Sequence, residues 1–165
     1  MKILGIDPGT IVMGFGVIES DDDNEIAMIE FGALSRPQRS PIGERLSYMY
    51  QELCEIIRRH RPDAVAVEQP FIGKNVRSAL AIGRAQAIAL LAAANSGLPT
   101  CEYTPSQVKQ RVANYGASSK EQVQEMVRLQ LGLAEVPQPD DAADALAVAI
   151  CHLREVHLSN LLANQ

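Results

Sequence analysis

The sequence predicts an α/β protein: a mixed five-stranded sheet with helices on both faces. Two observations carry this. Residues 2–7 (KILGID) and 63–68 (DAVAVE) are short runs, apolar enough to be buried on both sides, and each ends on an acid. Residues 12–19 and 25–34 read as longer strands that follow the first run through short turns. Such turns pair strands antiparallel, whereas later strands that arrive through helices add parallel ones.

The elements follow in order. Pro8-Gly9 turns the chain after the first strand. The polar SDDDN stretch closes a hairpin between the second and third strands, and its acids read as a solvated loop. SRPQRSP (35–41) is a loop. From Ile42 to His60, Leu46, Met49, Tyr50, Leu53, Ile56 and Ile57 recur at helical spacing, and Pro62 ends the helix. Asn75–Asn95 is a long Ala-rich helix stopped by Gly97 and Pro99. TCEY (100–103) is a short strand, and Pro105–Ala113 and Ser119–Leu131 are helices around a break at Gly116. Asp141–Val156 is the last helix. Residues 1–156 form one domain, and 157–165 are expected to be a disordered tail.

Composition narrows the class. With 47% hydrophobic and 21% charged residues the chain is ordinary globular protein. Its most apolar stretch, Ala79–Ala94, is interrupted by Arg84 and Gln86, so no membrane partner is expected. Cys54, Cys101 and Cys151 are far apart and form no CxxC pair, which points to a reducing cytoplasm and away from disulfides or zinc. A net charge of −5, read alone, argues against a nucleic-acid partner without excluding one. It is compatible with acids crowded into a metal site and a basic surface elsewhere.

The chemistry rests on where the acids fall. The first and fourth strands can be parallel neighbours, which puts Asp7 and Glu68 together at the carboxyl end of the sheet, where open α/β sheets bind ligands. In DDAADALA, Asp141 and Asp144 lie three apart, on one helix face and about 4.5 Å apart along its axis. Taken singly, Asp7 is a turn residue, Glu68 a strand-end ion-pair partner, and Asp140 or Asp141 a helix cap. Asp144 lies among Ala and Leu, where a lone acid is costly. Together these carboxylates would repel one another unless cations joined them. All-oxygen donors select Mg²⁺ or Mn²⁺. A pair of such ions suits phosphodiester hydrolysis, one activating water and the other stabilising the leaving oxygen.

The stretches GIDPG, GFGVIE, PIGERL, VEQPFIGKNVRSALAIG, QVKQ, KEQVQEMV and DAADALA together resemble the RuvC family of Holliday-junction resolvases, in order and spacing, from residue 2 to about 153. The resemblance implies an RNase H-like fold, a homodimer, and Mg²⁺-dependent cutting of four-way DNA junctions. Two ions per subunit are expected. It assigns Asp7, Glu68, Asp141 and Asp144 as catalytic, metal-holding carboxylates. Phe71 matches an aromatic near the junction centre, and Lys109 and Lys120 match basic residues near the scissile phosphate. Lys74 and Arg77 are further candidates for DNA contact, although solvated helix cations look the same in a sequence. After the DPG turn stand Thr10, Ile11, Val12 and Met13, where the family typically carries basic residues. The resemblance also implies a branch-migration motor as partner.

The expected activity is symmetric cleavage of four-way junctions that leaves a 5′-phosphate and a 3′-hydroxyl, in DNA recombination and repair. Three alternatives remain at this point. An RNA-processing nuclease of the same fold would prefer structured RNA. An actin-like ATPase also opens on an acid and a Gly-Thr turn, but it needs a second such turn, which the sequence lacks. A junction binder without catalysis would not need all the acids.

Overall fold

A computed structural model describes residues 1–21, 25–69 and 76–163. Its strands are β1 (Lys2–Asp7), β2 (Val12–Ser20), β3 (Ile26–Ser35), β4 (Ala64–Glu68) and β5 (Thr100–Tyr103). Its helices are α1 (Ile42–His60), α2 (Val76–Asn95), α3 (Pro105–Ala113), α4 (Lys120–Gln130) and α5 (Asp140–Ala163). The sheet order is β3-β2-β1-β4-β5. β1, β2 and β3 pair antiparallel, and β4 and β5 add in parallel, as the sequence predicts.

β1 is apolar throughout because it is covered on both sides. Leu4 and Ile6 face a core shared with Val65, Val67, Met49, Leu53 and Ala89, beneath α1 and α2. Ile3 faces the opposite core, with Ala66, Val108, Val127, Leu146 and Ile150, beneath α3, α4 and α5. Side chains alternate along a strand, so Gly5 and Asp7 share the side of Ile3. That alternation aims Asp7 at α5.

α5 is the central strut. From Ala142 to His152 nearly every residue is buried, because the sheet lies on one side and α3 and α4 on the other. Small residues in its first turns let it sit directly on the strands. The helix continues to Ala163 instead of stopping at Val156, which corrects the expected irregular tail over residues 157–163. No Gly or Pro interrupts this stretch, and Leu153, Leu158 and Leu161 continue an apolar side that lines a groove with Ile26.

α2 divides its alanines between two sides. Ala85, Ala89, Ala92 and Ala93 are buried against the core, whereas Leu80 and Leu91 stand outward, 62% and 49% exposed. The stretch Arg77–Asn95 is long and apolar enough, by composition, to cross a membrane, and 22% of its apolar window is buried within the fold.

Candidate active site

Three elements converge at the carboxyl edge of the sheet. Asp7 ends β1 and Glu68 ends β4, each one residue beyond the paired Ile6 and Val67. Both point to the α5 side by strand alternation. Asp141 and Asp144 lie in the first turns of α5, on the same side of the sheet. Capping boxes at Thr104 and Ser119 fix the starts of α3 and α4, and the second places Lys120 at the first position of its helix.

These groups act on one another electrostatically. Burial pushes the Glu68 carboxyl up to about 8, and the charge of Asp7 and a hydrogen bond with it push the same way. Asp7 is raised to about 6, by burial first and then by Asp144 and Asp141, while Glu68 and Lys120 pull it down. One proton between Asp7 and Glu68, held mainly on Glu68, accounts for both directions. Asp144 is also raised by burial, partly offset by Lys120. The Lys120 ammonium lies 2.7 Å from Asp144 and 3.7 Å from Asp140. Burial lowers its pKa, but these acids outweigh that effect and hold it above the ordinary value.

A cavity of about 220 Å³ opens beside these acids, lined by Glu68, Lys109, Lys120 and Asp144 over a floor that includes Val108 and Val123. Lys109 and Lys120 thus stand at one opening. Arg77 is exposed on the first turn of α2 and does not line this cavity. Phe71 and Lys74 lie outside the described residues. Asp140 is the first residue of α5 and faces Lys120 at longer range, so it is neither an N-cap nor the main partner of the lysine.

Among the described residues no three His, Cys, Asp or Glu side chains form a ready-made metal cluster. Lys120 occupies one oxygen of Asp144 instead. The donor set still suits a hard divalent cation. Its groups are carboxylates, no described Cys or His joins them, and burial first, then their mutual repulsion, raises the pKa of Asp7 and Glu68. A cation would relieve that repulsion.

Glycines that the motif reading passed over make the site possible. Gly14 pairs with Asp7 across β1 and β2. A Cβ on Gly14 would collide with the carbonyl of Asp141, one on Gly5 with the carbonyl of Ala145, and one on Gly16 with Leu146, at 2.6 Å from its Cδ2. α5 therefore rests on bare backbone. Paired glycines in the strand VMGFGVIES are the sequence signal of that close approach.

A sheet of this order, with acids at two parallel strand ends and on the helix that crosses them, is the plan of the RNase H-like nucleases. The chain matches the family described as "Crossover junction endodeoxyribonuclease RuvC" over residues 3–152. It is 58% identical to a protein of that description from Dehalococcoides mccartyi, over 99% of this chain and 97% of the relative. It is 56% identical to one from Chloroflexus aggregans, over 92% of each. The structure titled "T. thermophilus RuvC in complex with Holliday junction substrate" superposes with a TM-score of 0.91 at 36% identity, over 96% of each chain. The chain belongs to the crossover junction endodeoxyribonuclease RuvC family.

Proposed function

We propose that this nuclease resolves four-way DNA junctions in recombination and repair, as a homodimer that nicks two strands symmetrically and leaves 5′-phosphate and 3′-hydroxyl ends. The observation that carries the reading is the placement of Asp7 and Glu68 at adjacent parallel strand ends beside Asp144 of α5, with the Lys120 ammonium 2.7 Å from Asp144. Asp7, Glu68, Asp141 and Asp144 are the proposed holders of two Mg²⁺ ions per subunit, with Mn²⁺ a substitute of the same chemistry. Bound there, such ions would supply charge neutralisation and water activation.

The side chains have separate tasks. Glu68 and Asp7 must release the proton they share before both can bind a cation. With a cation held by Asp144 in place of Lys120, the ammonium would be free to meet the negative charge that grows on the phosphate. Lys109 stands at the same opening and orients the backbone of the DNA. The exposed row on α2, with Leu80 and Leu91, supports a contact between two subunits. Two-fold symmetry would then present the sites as a pair. Phe71 is proposed to stack at the junction centre, with Lys74 and Arg77 nearby on phosphate. The cytoplasm is the proposed setting, and a branch-migration motor the proposed partner.

The test offers a four-way junction, a linear duplex and structured RNA side by side, with Mg²⁺ or with EDTA. Wild type should cut the junction alone and only with metal, into symmetric nicks, and Asp7→Asn should not cut. Wild-type rates in Asp7→Asn, or preferred cleavage of RNA, would overturn the reading.

A further inference from the structure

The cations of this chain are sorted. Among the described residues, Lys2, Arg58, Arg59, Arg111 and Arg128 each face a glutamate, and Lys120 faces Asp144. Arg36, Arg39 and Arg45 face no carboxylate, nor do Arg61 and Arg84 elsewhere on the fold. Arg36 and Arg39 are exposed on the loop between β3 and α1. The guanidinium of Arg36 stacks 4.3 Å above the ring of Tyr48, which holds it in place without neutralising it. The Nε of Arg45 is buried and has no hydrogen-bond acceptor.

Topology brings this loop to the active edge. β3 runs parallel to β1, since each pairs antiparallel with β2. Asp7 is level with Gly14, and Gly14 with Ala33, two residues before the end of β3 at Ser35. Two strand spacings of about 4.8 Å and two rises of about 3.4 Å put Ser35 about 12 Å from Asp7, Cα to Cα. A groove of about 440 Å³ lies there, lined by Arg36, Ser40, Ser47, Tyr48 and Gln51, with Glu44 as its acid. α1 begins at this point without a side-chain cap, so its first N–H groups add to the positive field. By contrast, the turn after Asp7 offers Thr10, Ile11, Val12 and Met13, with no cation.

We propose that Arg36 and Arg39, with the groove beside them, bind backbone phosphates of a duplex arm leaving the active site. The rise of about 3.4 Å per nucleotide makes 12 Å a step of three or four nucleotides from the scissile phosphate. The loop supplies the contacts that the turn after Asp7 cannot. This inference rests on the junction-resolving reading above.

The experiment measures junction binding in EDTA, where nothing is cut, across a series of salt concentrations. Each lost phosphate contact lowers the slope of log K against log [salt] by about 0.9, which is about an 8-fold weaker affinity at 0.1 M salt. Arg39→Gln should show one such step, and Arg36→Gln/Arg39→Gln two, or about 60-fold. Arg61→Gln makes the same change of net charge at the opposite edge of the sheet and should leave the slope unchanged. Arg39 is exposed, so its single variant tests the idea even if loss of the Arg36–Tyr48 stack softens the fold, which thermal melts would reveal. A wild-type slope in both arginine variants overturns the proposal, as does an equal effect of Arg61→Gln. Absence of junction binding by wild type would instead overturn the underlying reading, and this proposal with it.

Discussion

Gly14→Ala tests how the site is assembled, because it touches no chemical group. Its methyl would lie far inside 3.0 Å of the Asp141 carbonyl, closer than real Cβ atoms approach. Restoring an ordinary contact of about 3.5 Å requires the start of α5 to retreat from β2 by more than about 1 Å. That retreat carries Asp141, and Asp144 one turn further on, away from Asp7, which stays on β1. A displacement of about 1 Å costs on the order of 100-fold in rate where positioning is the source of catalysis. Overpacking costs about 1–3 kcal/mol of stability. The assay is single-turnover cleavage of a four-way junction at saturating Mg²⁺, with circular dichroism to confirm folding. Gly83→Ala is the control, since a methyl there meets nothing within 4 Å and lies mid-helix. It should raise stability by about 0.5–1 kcal/mol. A folded Gly14→Ala that cleaves within about 3-fold of wild type would refute the claim that α5 owes its position to the bare strand.

Three further outcomes follow from the charges. Asp7 is raised from 3.8 to about 6 in the folded protein, so the metal-free fold binds more protons than the unfolded chain between those values and loses stability as pH rises through them. The loss is about 3 kcal/mol, and Asp7→Asn should recover it at pH 8 in EDTA, as read by denaturant unfolding; equal stability of the two proteins there would contradict it. Lys120→Met removes the competitor for Asp144. It should tighten Mn²⁺ binding to the free protein in calorimetry while cutting cleavage by about 100- to 1,000-fold, and weaker metal binding would count against the exchange. His152 is buried with its Nδ1 2.7 Å from the Tyr103 hydroxyl, and burial lowers its pKa. Stability should therefore fall as pH drops below the ordinary histidine value of 6.5, and His152→Asn should flatten that limb of the curve. A wild-type acid limb in the variant would assign it to other groups.

Much of this was legible because each element carries its own signal. The helical spacing of Leu46, Met49, Leu53 and Ile57 marks α1, and two apolar runs that end on acids mark β1 and β4. Asp144 stands out as an acid among alanines. Less legible were features that depend on distances between elements. Gly14 looks like a weak strand residue until α5 is seen to lie on it. Lys120 looks like a solvated helix cation until Asp144 is found 2.7 Å away. The extension of α5 to Ala163 was hidden because its exposed leucines resemble a loose tail when nothing shows what they lie beside.

Net charge misleads for a physical reason. The chain carries −5, which taken as a whole opposes DNA binding. Yet Glu19, Asp21 and Glu25 cluster at the hairpin between β2 and β3, while Asp7 and Arg36 lie at the opposite edge. β2 spans Val12–Ser20, 9 residues, or about 30 Å at about 3.4 Å each. Only the part of β2 beyond Gly14, which is level with Asp7, separates the two groups, and the Debye length at physiological salt is about 8 Å, so the hairpin acids lie about two to three screening lengths from a phosphate at the active edge. The DNA at that edge is governed mainly by what lies nearer to it than the hairpin. There the unpaired Arg36 and Arg39 face the solvent, and apart from Glu44 in the groove the acids are those a divalent cation would neutralise. A protein can therefore be acidic in total and still attract a polyanion where it cuts, provided some of its cations are left unpaired on that edge.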